Sequence, residues 1–187
     1  MKIKKVLQIT LVLLLLVTLL GADKVEAHGQ CINNKEDIPH AEMGYIESDE
    51  ISLLPEYQYL LFKCCEEYDV DYYVALALCF SESSFNEDAI SADGRDFGLF
   101  QIRDVNFKRL KRNYNLDPLD YYDNIECGVI IVHELREKYP DYSYEQILTL
   151  YKCGEGTGHK LIAEGRVLGA AKSVVANASN YEELICD

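Results

Sequence analysis

Glu82 is the residue of this sequence whose setting best suits acid–base chemistry. It falls near the C-terminal end of a predicted apolar helix, and Phe80 and Phe85 lie close to it in sequence. Unpaired carbonyl groups at a helix C-terminus place negative potential beside the carboxyl group, and partial burial against aromatic rings also disfavours its charged form. Both effects favour a protonated side chain, which a general acid working near neutral pH requires. A glutamate at a helix end can equally be a solvated surface residue, so the neighbouring motifs decide between the two interpretations.

Glu82 opens the first of four short motifs that follow one another along the chain. The motifs are Glu-Ser-Ser-Phe-Asn at 82–86, Gly-Leu-Phe-Gln-Ile at 98–102, Asn124-Ile125 with Gly128, and Tyr-Lys-Cys-Gly at 151–154 with Gly156 after it. Each motif alone is weak evidence, since the second is also typical of a turn that leads into a buried segment. Together and in this order, the four motifs resemble the soluble lytic transglycosylase (SLT) family and the wider lysozyme-like superfamily.

The resemblance implies that Glu82 is the single catalytic acid of an enzyme that cuts bacterial peptidoglycan. The carboxyl group would protonate the oxygen that links N-acetylmuramic acid to N-acetylglucosamine, so that the leaving sugar departs neutral. The carboxylate would then take a proton from the muramic C6 hydroxyl, which attacks the anomeric carbon and closes a 1,6-anhydro ring. Tyr151 is implied to be catalytic as well, because it would hydrogen-bond and orient Glu82. The alternative for Tyr151 is an aromatic core residue at a helix end.

The resemblance also implies a set of residues that bind the sugars. Gln101, together with backbone groups around Gly98 and Phe100, would line the groove that grips the N-acetyl groups. Ser83 would help to hold the reacting sugar. The alternative for Gln101 is a hydrogen-bonding role within its own loop.

Lys152 is the clearest departure from the family pattern, because the family has asparagine at this place. Asparagine both donates and accepts hydrogen bonds, whereas lysine only donates and carries a charge. Lys152 could therefore bind an anionic peptide or lactyl group of the substrate, or favour the ionised form of Glu82. Cys153 replaces the alanine that follows in the family. These differences change the expected substrate contacts but not the expected reaction.

Asp96 is the candidate for a second catalytic carboxylate. The Asp-Phe-Gly-Leu run at 96–99 resembles the Asp-Tyr-Gly stretch of animal-type lysozymes, where the aspartate has that role. Such a group would allow water to hydrolyse the same bond. A charged residue in a glycine-rich loop, Asp93 included, is more often structural and caps a turn. The leading hypothesis is a lytic transglycosylase, and the alternative in chemistry is a hydrolytic muramidase that uses Glu82 with Asp96.

Two further alternatives belong to other functional classes. An inactive peptidoglycan-binding protein could have kept the groove, but binding alone needs neither an acid nor the tyrosine that orients it. A cysteine peptidase would need a thiol with a histidine partner, and neither Cys79 nor Cys153 has a convincing one in the sequence.

Hydrophobic periodicity predicts the elements that position these motifs. The predicted helices cover residues 51–68, 71–83, 104–112, 122–138, 143–151 and 168–185, with loops at 84–98 and at the glycine-rich 154–158. No long alternating strand occurs. The pattern therefore predicts a mainly α fold class, and the resemblance implies that it is of the α+β lysozyme-like kind. We expect a single helical catalytic domain with at most a small sheet or hairpin, near residues 88–102 and beside the active-site cleft.

The first 27 residues have the layout of a signal peptide. A basic head precedes an almost unbroken aliphatic run at 6–22, and Val-Glu-Ala at 25–27 places small residues before a cleavage position. An uncut run would be long enough to anchor the chain in a membrane instead. In both cases the rest of the chain lies outside the cytoplasm. It consists of a polar leader at 28–47 and a lysozyme-like transglycosylase domain at 48–187.

Charge and cysteine content limit the partners and cofactors. Removal of residues 1–27 changes the net charge from −14 to −16, and no basic patch remains that could hold nucleic acid. The seven cysteines are irregularly spaced and define no disulfide pattern, and Cys79 and Cys127 are predicted to be small core side chains. Scattered histidines argue against a metal site, and nothing calls for a cofactor. The expected partner is the peptidoglycan glycan strand, bound by a monomer that does not insert into the membrane after signal cleavage. The resemblance adds secretion or conjugation machinery as a partner class.

Overall fold

The computed structural model describes residues 48–186. The predicted signal peptide at 1–27 and the leader at 28–47 lie outside the described residues, so both remain predictions, as do the boundaries of the catalytic domain. Among the helices of the described residues, none is long and apolar enough to cross a membrane.

Six α-helices and one two-stranded antiparallel sheet make up the regular structure of the described residues. In chain order the elements are α1 (Pro55–Glu67), α2 (Tyr72–Ser83), β1 (Asp96–Phe97), β2 (Ile102–Arg103), a 3₁₀ turn (Asp104–Asn106), α3 (Phe107–Tyr114), α4 (Tyr121–Lys138), α5 (Tyr144–Ala163) and α6 (Gly169–Cys186). The mainly α fold class and the small hairpin are therefore confirmed. Helix α1 begins later than predicted because Pro55 takes its first position, while Ile51 and Leu53 pack in the core ahead of it.

Helix α2 is the buried helix that carries Glu82. Asp71 caps its N-terminus as predicted, since the side chain accepts a hydrogen bond from the Val74 N–H at 3.0 Å. The middle of the helix is aliphatic and almost entirely buried, with α1 and α6 packed against it. The helix ends at Ser83 because Ser84 adopts a left-handed conformation with a φ of 53°. Glu82 thus lies in the last turn of a helix whose middle is buried in the core.

Asn124 fixes the loop between β1 and β2 to helix α4. Its buried side chain accepts a hydrogen bond from the Phe100 N–H at 2.9 Å. The same amide donates to the carbonyl oxygens of Phe97 and Pro118, at 3.0 and 2.8 Å. Three bonds satisfy both donors and one acceptor site of the buried amide and lock the Gly-Leu-Phe-Gln-Ile motif onto α4.

Gly128 allows the Phe100 ring to pack directly on α4. A Cβ atom at position 128 would lie 2.2 Å from Cγ of Phe100, whose side chain is fully buried. Real Cβ atoms do not come so close to other heavy atoms, so a side chain here would push the loop away. The Asn124–Gly128 motif is therefore the surface on which the second motif is seated.

Helix α5 differs from the prediction at its glycine-rich part. The first helical segment stops at Gly154 as predicted, because this residue is non-helical with φ 74° and ψ 155°, but the predicted loop at 154–158 is wrong, since a second helical segment follows the kink and continues to Ala163. Glycine tolerates this backbone without strain. Gly158 serves packing instead, since a Cβ there would lie 2.5 Å from Cδ2 of Leu150. The glycines that predict a loop in the sequence thus form a kink at Gly154 and a close packing contact at Gly158.

The cysteines of the described core are free. Cys64, Cys65, Cys79 and Cys127 are buried thiols, and Cys153 is partly exposed. The prediction that Cys79 and Cys127 are small core side chains is therefore confirmed.

Candidate active site

A groove with a volume of about 970 Å³ lies between the end of α2, the hairpin, α4 and α5. It brings together five of the residues that the sequence singled out, although they come from different elements. These are Glu82, Asp96, Gln101, Tyr151 and Lys152. Side chains distant in sequence thus converge on one open cavity, which is the arrangement expected of a substrate site.

Lys152 holds Glu82 directly. Its ammonium group lies 2.5 Å from Oε1 of Glu82 and also donates to Oγ of Ser81 at 3.1 Å. The side chains of Glu82 and Lys152 are only 16% and 12% exposed, so the ion pair is largely shielded from water. Among the described residues, no hydrogen bond reaches Oε2 of Glu82, which leaves that oxygen for a ligand. Of the two roles that the sequence allowed for Lys152, the structure shows the contact to Glu82.

Tyr151 is anchored to the hairpin loop and not to Glu82. Its hydroxyl donates to the carbonyl oxygen of Phe100 at 2.8 Å, so the predicted hydrogen bond between Tyr151 and Glu82 is wrong. Burial raises the pKa of the Tyr151 phenol well above its usual range, and the nearby Glu82 carboxylate raises it further. The hydroxyl therefore remains a donor throughout the physiological range. This bond joins the part of α5 before the Gly154 kink to the loop between β1 and β2, which is itself bonded to Asn124 on α4.

Gln101 lines the groove but uses its amide nitrogen within the protein. That nitrogen donates to the carbonyl oxygens of Ala89 and Gly98, at 3.0 and 2.9 Å. The backbone of Gln101 has a φ of 47°, in the left-handed region, and the two hydrogen bonds stabilise this conformation. The loop-bonding role that the sequence left open is therefore present, together with a position on the groove wall.

Phe100, Gly98 and Ser83 lie outside the groove lining, in contrast to their predicted role in substrate binding. The Phe100 side chain is in the core, and its N–H and C=O groups are both bonded within the protein, to Asn124 and Tyr151. Gly98 is pressed against Asn124, because a Cβ at position 98 would lie 2.5 Å from the amide nitrogen. The Ser83 hydroxyl donates back to the Cys79 carbonyl in its own helix, at 3.2 Å. These residues shape the loop and the helix end that border the groove.

Asp96 shares the groove with Glu82 but is tied to Arg103. The two residues are opposite each other on β1 and β2, and both Asp96 oxygens accept from one guanidinium nitrogen, at 3.0 and 2.9 Å. Arg103 also binds Asp93 at 2.9 Å, and hydrogen bonds from Ser91 and Arg103 lower the pKa of Asp93. Asp93 and Asp96 therefore brace the hairpin through one arginine.

The acidic residues of the groove are matched one to one by basic residues. The pairs are Glu82 with Lys152, Asp96 with Arg103, Glu134 with Arg109 and Glu155 with Lys138. The last two pairs could not be found in the sequence, because their members lie on different helices and belong to no motif. The groove lining is formally neutral in a chain of net charge −14. Within residues 48–186, no group of three or more His, Cys, Asp and Glu side chains is placed to hold a metal ion.

The sequence and the fold of the chain are similar to those of known proteins. A family profile described as the transglycosylase SLT domain matches residues 60–173 of the chain. The fold is similar to that of an inactive mutant of the lytic transglycosylase Slt from Pseudomonas aeruginosa, with a TM-score of 0.57 and 16% sequence identity. The match covers 66% of this chain and 23% of that chain, so this chain spans less than a quarter of that protein. Among curated proteins, none matches the sequence.

Proposed function

The chain belongs to the transglycosylase SLT domain family, and from this premise we propose that it is a peptidoglycan lytic transglycosylase whose acid–base residue is Glu82. The substrate is the β-1,4 bond between N-acetylmuramic acid and N-acetylglucosamine, and the product carries a 1,6-anhydro ring. The fold is the lysozyme-like fold that the sequence predicted. The groove supplies the space for a glycan strand.

The reaction needs one carboxyl group that acts first as an acid and then as a base. Protonated Glu82 gives its proton to the glycosidic oxygen, the bond from this oxygen to the anomeric carbon breaks, and the N-acetylglucosamine end leaves as an alcohol. The Glu82 carboxylate then takes the proton of the muramic C6 hydroxyl. The C6 oxygen forms the new bond to the anomeric carbon, and Glu82 ends the cycle protonated, without consumption of water.

One observation favours transglycosylation over hydrolysis. Both oxygens of Asp96 are taken up by Arg103, whereas Oε2 of Glu82 has no hydrogen-bond partner among the described residues. A retaining hydrolase needs a second carboxylate free to attack or to stabilise the sugar. Of the four carboxyl groups in the groove lining, Glu82 alone has an oxygen that accepts no hydrogen bond within the described residues, which suits a reaction with one acid–base group and intramolecular attack by the C6 hydroxyl.

Tyr151 and Gln101 support the reaction by position. Tyr151 fixes the segment that carries Lys152 to the Phe100 carbonyl, and Gln101 holds the turn that forms one wall of the groove. We propose a positioning role for Tyr151 and a substrate-binding role for the amide oxygen of Gln101. Gly98, Phe100 and Ser83 contribute through the shape of the elements that carry them.

The cellular setting follows from the predicted signal peptide and the charge pattern. We propose that the enzyme is exported, works as a monomer, and remodels the wall locally. A formally neutral groove in an acidic protein binds sugar chains through hydroxyl and amide groups rather than through net charge.

Replacement of Glu82 by glutamine tests the proposal. Glu82→Gln keeps the shape of the side chain but has no proton to give, so glycan cleavage falls by at least about 100-fold, while the circular dichroism spectrum stays unchanged. Glu183→Gln, on the exposed face of α6, is the matched control and cleaves at the normal rate. Cleavage by Glu82→Gln at a rate near that of the unmodified protein would remove Glu82 as the acid.

A further inference from the structure

Helix α3 carries a stripe of exposed positive charge, although the chain as a whole has a net charge of −14. Four of the five residues at 108–112 are basic, and the helix contains no acidic residue. Because successive residues of an α-helix are about 100° apart around its axis, positions 108, 111 and 112 fall within one arc of about 100°. Leu110, on the other side of the helix, is fully buried in the core. The residues of this α3 stripe are Lys108, Lys111 and Arg112, and all three are exposed.

The α3 stripe makes no salt bridge within residues 48–186, whereas most of the other basic residues there are paired with a carboxylate. Arg109, the remaining basic residue of the helix, is bonded to Glu134 at 2.5 Å. On the stripe itself, Nε of Arg112 donates to the side chain of its neighbour Asn113 at 3.1 Å. Like charges three and four residues apart on a helix repel each other and lower its stability. An anionic ligand on the stripe would remove this repulsion.

Acidic residues precede and follow α3 in the chain without pairing with the stripe. Asp104 is bonded to Arg95 at 2.8 Å, and the Asp123 carboxylate accepts a hydrogen bond from the Asp117 N–H at 2.7 Å. The charge of Lys111 acts on Asp123 without a salt bridge between them. Because exposed charges interact over about 8 Å at physiological ionic strength, these carboxylates confine the positive potential to a narrow band.

The α3 stripe lies next to the groove, on the same helix as a groove residue. Arg109 lines the groove, as do Val105 and Asn106 in the 3₁₀ turn that leads into the helix. An α-helix is about 10–12 Å wide, so about one helix width separates the stripe from the groove wall. An anionic chain that accompanies the glycan can therefore occupy the stripe while the strand lies in the groove.

A flexible anionic chain fits these observations better than a flat anionic surface does. A membrane would bring its charges close to the acidic residues around the stripe, and their repulsion would oppose binding. A flexible polymer follows the stripe and keeps away from the rest of the protein. Lysine supplies mobile point charges, and the fork of an arginine matches the oxygens of a phosphate group. The chemistry of the stripe thus suits a chain with repeated phosphate groups.

We propose that the α3 stripe binds an anionic polymer with phosphodiester links that shares the bacterial wall with peptidoglycan, and so holds the enzyme beside the strand that it cuts. The location of the polymer in the wall rests on the proposed function, whereas the binding of a phosphodiester chain does not. Contacts from three cations to a flexible chain predict an affinity that falls about 20-fold between about 50 and 200 mM salt. The binding is therefore electrostatic and strongly dependent on salt.

Fluorescence anisotropy measures the binding directly and needs no enzymatic activity. The probe is a synthetic chain of glycerol phosphate units with a fluorescent label at one end, and the protein is the full chain. In Lys108→Gln/Lys111→Gln one cation remains on the stripe, so affinity at low salt falls at least about tenfold and its salt dependence falls to about threefold over the same range. Glutamine preserves the helix propensity. Lys160→Gln/Lys172→Gln removes the same charge from two other exposed lysines and binds like the unmodified protein.

A second test places the polymer in the wall. Glu82→Gln is used as the background so that the wall stays intact, and the protein is sedimented with purified walls before and after chemical removal of their phosphodiester polymer. We expect more protein to sediment with the polymer-bearing walls, and this difference to disappear when Lys108→Gln/Lys111→Gln is added. Equal sedimentation with both walls in the Glu82→Gln background would contradict the location of the polymer in the wall.

The remaining outcomes separate the inference from the proposed function. Equal binding of the probe by the unmodified protein and Lys108→Gln/Lys111→Gln overturns the role of the stripe. Tighter stripe-dependent binding to vesicles of anionic phospholipid, or to a single-stranded oligodeoxynucleotide, also overturns the proposal, because the occupant is then a membrane or a nucleic acid. Stripe-dependent binding of the probe by a protein that releases no anhydro sugars keeps this inference and rejects the proposed function.

Discussion

The Asn124 side chain fixes the hairpin loop that borders the groove, and the cost of its removal can be worked out from its hydrogen bonds. Asn124→Ala removes the bond to the Phe100 N–H and the two bonds to the carbonyl oxygens of Phe97 and Pro118. A typical hydrogen bond contributes about 1 kcal/mol net, and a buried donor left unpaired costs a further ~1–3 kcal/mol. Because the residue is 1% exposed, water does not readily replace the lost partner. We expect the free energy of unfolding to fall by about 4 kcal/mol, a large share of the ~5–15 kcal/mol typical of a domain.

Guanidinium denaturation, followed by far-ultraviolet circular dichroism, measures this change. Asn180→Ala is the matched control, because Asn180 is exposed on α6, and its loss changes the free energy of unfolding by less than about 0.5 kcal/mol. Hydrogen exchange at the Phe100 amide adds a local measurement and becomes much faster in Asn124→Ala. A loss of under about 1 kcal/mol, with slow exchange at Phe100, would refute the anchoring role of the Asn124 side chain.

Two further predictions concern the groove. Asp96→Asn keeps one acceptor for Arg103 and changes the cleavage rate by less than about threefold. Loss of a second catalytic carboxylate would instead lower the rate about 100-fold or more. Steady-state rates on purified peptidoglycan decide between the two outcomes. Tyr151→Phe loses the bond to the Phe100 carbonyl, which lowers the free energy of unfolding by about 1 kcal/mol. Because a small displacement of catalytic groups strongly lowers the rate of the chemical step, the same variant lowers kcat more than about tenfold with little change in KM. An unchanged kcat in Tyr151→Phe would mean that this anchor does not position the site.

The helices could be predicted because their signals are local. The cap at Asp71 and the aliphatic pattern after it specify α2 within a few residues, and α2 alone determines that Glu82 lies at a helix end. The glycines at 154–158 misled the prediction because composition does not distinguish a flexible loop from a tight contact. Gly158 is small so that α5 can fold back on Leu150, and only the folded chain shows this neighbour.

The members of the groove could be predicted from motifs, but their contacts only in part. The motifs gave Glu82 a hydrogen bond to Tyr151 that the structure lacks, and they left the contact between Glu82 and Lys152 as one of two alternatives. Which side chain reaches the carboxylate depends on the register between α2 and α5, and that register is set by distant contacts such as the one between Tyr151 and Phe100. Phe100 belongs to a motif that borders the site, but its ring packs in the core against Gly128, where the lack of a side chain leaves room for it.

The most direct test of the proposed reaction is mass spectrometry of the fragments that the part of the chain after the predicted signal peptide, residues 28–187, releases from purified peptidoglycan. Transglycosylation predicts muramic ends that are lighter by one water and resist borohydride reduction, because the C6 hydroxyl and not water attacks the anomeric carbon. Reducing muramic ends would contradict the proposal, and would show that a water molecule is activated in this groove.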